Sequence, residues 1–234
     1  MRIFLIRHGL SQSNVDWKVN AKVADHAIGL TDEGKKQAAA AGRQLAAYFN
    51  SVPDLAWDFQ FGVPHIRMWN SPYTRTRQTA EILNSNCLRD NRTSDFKPSW
   101  IRDRREHLLL AEQQFGIFDG LSDNERKEQY PDFQAYYEKC KSFEGKLWPK
   151  MPLGESRFEV AQRVHQAFGT FHRDAERHKI NNIVVVGHGT TNRAFIMMWL
   201  HLPYEWMHEE PNPKNCSIRL LEGGEDKGYI FDGF

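Results

Sequence analysis

Ile183-Val184-Val185-Val186 is the stretch that most limits the folds open to this chain. Four β-branched residues in a row leave no polar alternate position, so a strand built from them must be covered on both faces. Such strands belong to parallel sheets layered between helices. A second apolar run, Ile3-Phe4-Leu5-Ile6, opens the chain in the same way. The two runs lead into Arg7-His8-Gly9 and Gly187-His188-Gly189. An apolar run bounded by glycine reads as a short core strand, which puts whatever follows it at the rim of the sheet.

The segments between these runs alternate in type. Thr31 can cap a helix whose first turn carries Asp32 and Glu33, and Ala38, Ala41, Leu45 and Phe49 recur at helical spacing until about Asn50. His65 to Ser71 reads as the next strand, followed by Pro72 and a helix from Thr74 to about Leu83. A polar region from Asn84 to about Lys97 leads to a weak strand signal at Ser99-Trp100-Ile101. Residues 103–152 mix charges, aromatics and short helical patches such as Asp132 to Lys139, the pattern of an α-rich cap inserted over the sheet. Ser156 then precedes a helix carrying Val160, Val164, Phe168 and Phe171 to about His178, and Asn181-Asn182 breaks the chain before the strongest strand. Thr190 or Thr191 starts a helix with Phe195, Met198 and Trp199, and two late strands span Cys216 to Leu221 and Gly228 to Phe231. Long crossovers between strands predict a three-layer α/β/α fold around a mostly parallel, right-handed sheet, with residues 1–234 forming one domain.

Composition removes several classes of function. Lys+Arg 31 against Asp+Glu 30 gives a formal charge of +1, so no global field draws the chain to nucleic acid or to an anionic membrane. The apolar runs are too short to span a bilayer, and the first residues enter a strand instead of a signal-peptide pattern, so a soluble, cytoplasmic protein is expected. Cys87, Cys140 and Cys216 are odd in number and widely spaced, which reads as free thiols and not as a disulfide framework or a zinc knuckle. Nothing in the sequence fixes the oligomeric state.

Ligands of open α/β sheets bind beyond the carboxyl ends of the strands. Three such ends carry polar chemistry here: Arg7-His8-Gly9, Ser71-Pro72-Tyr73-Thr74-Arg75 and Gly187-His188-Gly189. Arginine forks match phosphate oxygens, and helix amino termini add unpaired N–H groups, so the rim is expected to be an anion site with phosphate as the obvious anion. A histidine set between arginines is held neutral by like charge, which leaves a ring nitrogen nucleophilic at neutral pH.

Beyond that reading, RHGLSQSN, GLTDEGKKQA, SPYTRTRQTAEIL, EQQFGIFDG, PLGES and VVVGHGTTNRA resemble, in this order, the motifs of the histidine phosphatase superfamily in its phosphoglycerate-mutase-like branch. The resemblance spans nearly the whole chain. It implies that His8 is the nucleophile that becomes phosphorylated. It also implies that Arg7, Arg75 and His188 hold the phosphoryl group, that Asn14 contacts it, and that the Thr190 N–H completes the pocket. A small-molecule phosphomonoester substrate follows, with no cofactor and no metal. The general acid has two candidates. Glu106, in Arg104-Arg105-Glu106, superficially matches the family's wording, whereas Glu112 lies four residues before Gly116, which is the family's spacing, and is preferred. Ala111 stands where the family usually has an arginine before this glutamate.

Mutases of the family hold their charged substrate with extra basic residues after the acid. Residues 129–150 offer Lys139, Lys141, Lys146 and Lys150 but no arginine pair, and are rich in aromatics: Tyr130, Phe133, Tyr136, Tyr137, Phe143 and Trp148. An aromatic-lined cap suits a less charged or larger leaving group, so hydrolysis is expected over mutase transfer. Other classes fit less well. GHGTTN lacks the third glycine of a dinucleotide fingerprint and falls late in the chain. A non-catalytic phosphoester-binding module has no need of His8, Arg75, Glu112 and His188 together. A metallohydrolase would place a cation among arginines, without a visible carboxylate-rich ligand set.

Overall fold

A computed structural model describes residues 1–52, 57–58, 63–64, 66–89 and 99–234. The central sheet has six strands: β1 (Arg2–Arg7), β2 (Ile66–Asn70), β3 (Asp103–Glu106), β4 (Asn182–Gly187), β5 (Ile218–Glu222) and β6 (Glu225–Phe231). Their order is β3-β2-β4-β1-β5-β6. The first four in that order run parallel, and β5 and β6 complete the sheet antiparallel. The fold is thus α/β with a mostly parallel sheet, as the apolar runs require.

The main helices are α1 (Asp32–Ser51), α2 (Thr74–Asn86), α3 (Asp123–Gln129), α4 (Pro131–Glu144), α5 (Arg157–His178) and α6 (Gly189–Trp199). Successive residues of the inner strands serve opposite layers. Phe4, Ile6, Val184 and Val186 pack with Ala41, Leu45 and Phe49 of α1 and Leu83 of α2. Ile3, Leu5, Ile183 and Val185 pack with Val164, Phe168 and Phe171 of α5 and Phe195 of α6. Both faces of β1 and β4 are therefore covered, which is why neither strand alternates.

Helix starts follow their caps. The Thr31 hydroxyl accepts the Gly34 N–H, and Ser156 forms a reciprocal capping box with Glu159. The edge of the sheet departs from the sequence reading. Trp100 and Ile101 are buried in the apolar layer, but Ser99 makes only a single bridge, to Leu88, and the paired strand is the charged run Asp103–Glu106. An edge strand needs one partner only, and buried Arg67 of β2 draws Asp103 in through a hydrogen bond of 2.7 Å from Nε. The residues expected to open the cap thus begin with a sheet strand, and the helical part follows it. Asn182, read as part of a break, is paired with Arg2 and Ile66, so the break is at Asn181. The strand expected from His65 begins at Ile66 among the described residues, and His65 and residues 90–98 lie outside them.

The first turn of α1 locks the segment after His8. Leu10 donates its N–H to Gln37 Oε1 at 2.8 Å, and its carbonyl accepts the Thr31 N–H at 2.9 Å. The contact is backbone to backbone: a Cβ on Gly34 would lie 2.1 Å from the Leu10 oxygen, and one on Gly9 would lie 2.5 Å from the Gly34 oxygen. Gly34→Ala should therefore destabilise the fold by roughly 1–3 kcal/mol through overpacking. Thermal melting that matches wild type would show that α1 does not hold this loop.

Candidate active site

The register of the parallel strands brings the polar strand ends to one level. Arg7 pairs with Gly187 across β1 and β4, and the His8 N–H continues the ladder to the Gly187 oxygen at 3.0 Å. On the other side of β4, the Ser71 N–H reaches the Val186 oxygen at 3.1 Å. As a result the His8 and His188 rings meet edge to face, 5.3 Å between centroids. His8 borders a cleft of about 440 Å³ lined also by Arg7, Asn14, Arg75, Glu112 and Thr190, whereas the His188 ring is fully buried against His8 and is not part of the lining.

His8 is 4% exposed, and its Nδ1 lies 2.8 Å from the Gly9 carbonyl oxygen. A carbonyl only accepts, so Nδ1 carries the proton and Nε2 keeps the lone pair. The backbone around it is braced by the Asn215 side chain, whose Nδ2 donates to the His8 oxygen at 2.9 Å. Burial first, and then the charges of Arg75 and Arg7, hold the His8 imidazole well below its ordinary value. Like charge alone, the cause expected from the sequence, is the smaller part.

His188 is fully buried. Its Nε2 pairs with Ser71 Oγ at 2.8 Å, and that oxygen also accepts the Tyr73 N–H at 3.4 Å. The Ser71 hydroxyl can donate to Nε2 or accept from it through its second lone pair, so this contact fits either tautomer, and His188 Nδ1 is buried without a hydrogen-bond partner among the described residues. Burial, then Arg75, His8, Arg163 and Arg7, depress its basicity in turn.

Arg7 donates from Nη1 to the Pro213 oxygen at 2.7 Å, and its Nε is buried without a partner. Arg75 is 4% exposed and holds Asp25: Nη1 lies 2.8 Å from Oδ1 and Nη2 3.2 Å from Oδ2. The Nε edge of the same guanidinium makes no hydrogen bond among the described residues. Asn14 Oδ1 accepts from the Ser11 N–H at 3.2 Å and from Asn215 Nδ2 at 3.3 Å, leaving the Asn14 amide N–H groups for an anion.

The two glutamates separate cleanly in space. Glu106, on edge strand β3, forms a bidentate pair with Arg77 at 2.7 Å for both bonds, and does not line the cleft. Its hydrogen bonds to Arg77 lower its pKa below the ordinary carboxylate value. Glu112 lines the cleft. Its carboxylate sits on the amino terminus of α6, accepting the N–H groups of Thr190 and Thr191 at 3.3 Å each, the Thr191 hydroxyl at 3.2 Å and the Gln113 N–H at 2.9 Å. The Thr190 N–H expected to face the anion is thus directed at this carboxylate.

Three further contributors were missed from the sequence. Arg163 of α5 donates from Nη1 to the oxygens of Leu109 and Ala111 at 2.8 Å and from Nη2 to that of Glu112 at 3.0 Å, and it pairs with Glu155. A guanidinium from another helix thus clamps the backbone at the position where Ala111 replaces the family's arginine. Its signal was a charged residue at the edge of the Val160, Val164, Ala167 stripe. Asp25 and Asn215 carried no pattern at all. Conversely, none of the six aromatics expected to line the cap reaches the cleft, and Phe133, Tyr136, Phe143 and Trp148 are exposed. The aromatic walls are Trp17, Phe115 and Phe118 instead. Among the described residues no group of three or more His, Cys, Asp or Glu side chains is arranged to hold a metal, and no helix is long and apolar enough to cross a membrane.

A histidine with its lone pair turned into an arginine-lined cleft at the end of a parallel strand defines a phosphoryl-handling class of α/β protein. The chain belongs to the histidine phosphatase superfamily, branch 1, whose profile matches residues 3–231. It is 32% identical over 97% of its length to the phosphoglycerate mutase-like protein AT74 of Arabidopsis thaliana, and spans 66% of that relative. It is 26% identical to the broad-range acid phosphatase DET1 of Saccharomyces cerevisiae, over 94% of this chain and 84% of that one. Among solved structures, the alpha-ribazole phosphatase of Shigella flexneri superposes with a TM-score of 0.67 at 19% identity, covering 99% of this chain and 96% of the other. The mycobacterial glucosyl-3-phosphoglycerate phosphatase bound to VO3 gives 0.65 at 20% identity, covering 94% and 90%. At these identities the solved structures speak to the fold.

The buried histidines set a pH dependence of stability. In the unfolded chain each titrates near about 6.5, whereas the folded protein keeps both neutral below that pH. As pH falls through that range the unfolded state gains protons that the native state refuses, so stability declines, by up to about 1.4 kcal/mol per pH unit for each histidine. Urea midpoints between pH 7.5 and 5 should fall less steeply for His188→Asn than for wild type. Parallel slopes would mean that His188 is protonated in the native protein.

Proposed function

We propose that the protein is a phosphomonoester hydrolase working through a phosphohistidine on His8, with Glu112 as general acid and water as acceptor. The observation that carries this reading is the fixed tautomer of His8, whose Nε2 keeps its lone pair in a residue that lines a cleft with Arg7, Arg75 and Glu112, the His188 ring packing against it. The names of several relatives, acid phosphatases among them, agree with it.

In the proposed reaction His8 Nε2 attacks phosphorus as the ester P–O bond breaks. The equatorial oxygens gather charge, and Arg7, the Nε edge of Arg75, the Asn14 amide and His188 are the groups that would stabilise it. Glu112, as the carboxylic acid, gives its proton to the departing alkoxide. Water then attacks the phosphohistidine, Glu112 takes a proton from it, and the P–N bond breaks to release inorganic phosphate and neutral His8. The arginines supply the charge stabilisation that a metal provides in other phosphatases, so activity is expected to survive chelators.

Mixing enzyme with substrate and quenching in alkali should trap an alkali-stable, acid-labile phosphoryl group on wild type and none on His8→Ala. Near wild-type turnover by His8→Ala would end the mechanism. Arg75→Ala should cost on the order of a hundredfold in rate, and Arg75→Lys should recover part of it. Unchanged kinetics in the folded Ala variant would place Arg75 outside the reaction.

The acid is tested by leaving group. Glu112→Gln should slow an alkyl phosphate strongly and an aryl phosphate with an acidic phenol much less, because the phenolate departs almost without a proton. Glu106→Gln should leave that ratio alone. The opposite pattern would assign the acid to Glu106, and faster transfer to a phosphoglycerate hydroxyl than to water would replace the hydrolase by a mutase.

A further inference from the structure

The cleft continues outward past Arg75, and its outer walls constrain the alcohol that is released. Three carboxylates line it there: Asp25, Asp119 and Asp123. Two of them are matched by cations. Asp25 holds the Nη atoms of Arg75, and Asp123 lies 3.3 Å from Arg126 Nη1. Asp119 has no cation within ion-pair distance among the described residues. Its Oδ1 accepts from Asn20 Nδ2 at 2.8 Å, and the same amide nitrogen reaches Asp25 Oδ1 at 3.4 Å, so Asn20 ties the two carboxylates into one wall. Asp119 is half-buried, and burial followed by the charge of Asp25 raises its pKa. Arg126, the one cation lining this outer part among the described residues, is engaged through its two Nη atoms, while its Nε is buried without a hydrogen-bond partner. Its guanidinium packs 5.1 Å from the Phe118 ring centre, and its Nη2 donates to the Phe118 oxygen at 3.5 Å.

We infer that Asp119 is a specificity-determining residue: the outer cleft takes the phosphate ester of an uncharged, hydroxyl-bearing alcohol and rejects one that carries a carboxylate. The inference rests on the phosphohydrolase reading for the placement of the phosphoryl group beside His8. A carboxylate accepts hydrogen bonds and offers none, so hydroxyl donors are what Asp119, with Asn20 beside it, can bind. A second carboxylate in the same half-enclosed space meets Asp119 across a medium that screens less than bulk water. Trp17 and Phe115 offer apolar faces to the carbon side of the leaving group.

Glycerol 3-phosphate and 3-phosphoglycerate form a matched probe pair, because they differ in a CH2OH group against a carboxylate at the end away from phosphorus. Wild type should favour glycerol 3-phosphate by tenfold or more in kcat/KM. Asp119→Asn should narrow that ratio at least fivefold, and Asp119→Glu should keep it. An equal or reversed preference in wild type overturns the inference, as does a ratio that Asp119→Asn leaves in place. A tenfold preference for phosphoethanolamine over glycerol 3-phosphate also overturns it, by making the wall a cation site. Calorimetric affinities of the two probes for His8→Ala, which cannot form the phosphohistidine, give the same discrimination without turnover. Biased binding with no hydrolysis by wild type would sink the hydrolase and keep the selectivity. Hydrolysis of an aryl phosphate with unbiased affinities would do the reverse.

Discussion

The register between β1, β2 and β4 is the constraint on which the site depends. Parallel pairing sets Arg7 beside Gly187 and Asn70 beside Val186, and the next residue on each strand is His8, His188 or Ser71. A shift of one residue would turn every inward side chain of β1 to the opposite layer. With Phe4 and Ile6 on one face and Ile3 and Leu5 on the other, all fully buried or nearly so, that shift would cost the packing of both layers at once. The apolar core thus fixes the relative height of two histidines that contribute nothing to it.

Bringing those groups together has an electrostatic cost that the fold offsets locally. Two buried imidazoles stay neutral, so only Arg7 and Arg75 bring formal positive charge to the inner cleft. Asp25 neutralises Arg75 by taking its Nη atoms, an arrangement that leaves the Nε side of the fork unengaged among the described residues. An arginine held at one edge has already given up most of its rotamer freedom, so an anion arriving at the other edge need not order it. The Tyr73 ring, 4.9 Å from the guanidinium and 5.0 Å from the His188 ring, fills the remaining angle between them.

Much of this was legible because it is local in sequence. Strand cores, the caps at Thr31 and Ser156, and the polar strand ends each follow from a few adjacent residues. The edge strand was misplaced because Trp100-Ile101 carries the stronger local preference, while the pairing of Asp103–Glu106 is decided by a buried arginine thirty-six positions away. Asp25, Asn215 and Arg163 escaped for a related reason: each acts through hydrogen bonds to residues distant in sequence, and a single polar residue in a loop or at a helix-stripe edge carries no period. The aromatics of residues 130–148 show the opposite error, a composition signal that was real but faced elsewhere.

The proposed acid and the loop that would select the alcohol are held by different parts of the structure. Glu112 is fixed by the first N–H groups of α6, the helix whose cap residue is His188, and by Arg163 reaching across from α5. The proposed acid, anion-binding histidine and nucleophile thereby belong to one frame built on β1 and β4. Asp119 stands on the short turn after Gly116 and Arg126 on α3, and Asp119 is joined to the opposite wall through Asn20. Substitutions in those turns can change what the outer cleft recognises while the register that aligns His8 with His188 stays as it is. A phosphoryl-transfer frame of this kind admits new alcohols by changes at its rim, because none of the hydrogen bonds that orient the proposed nucleophile or acid passes through the residues that meet the leaving group.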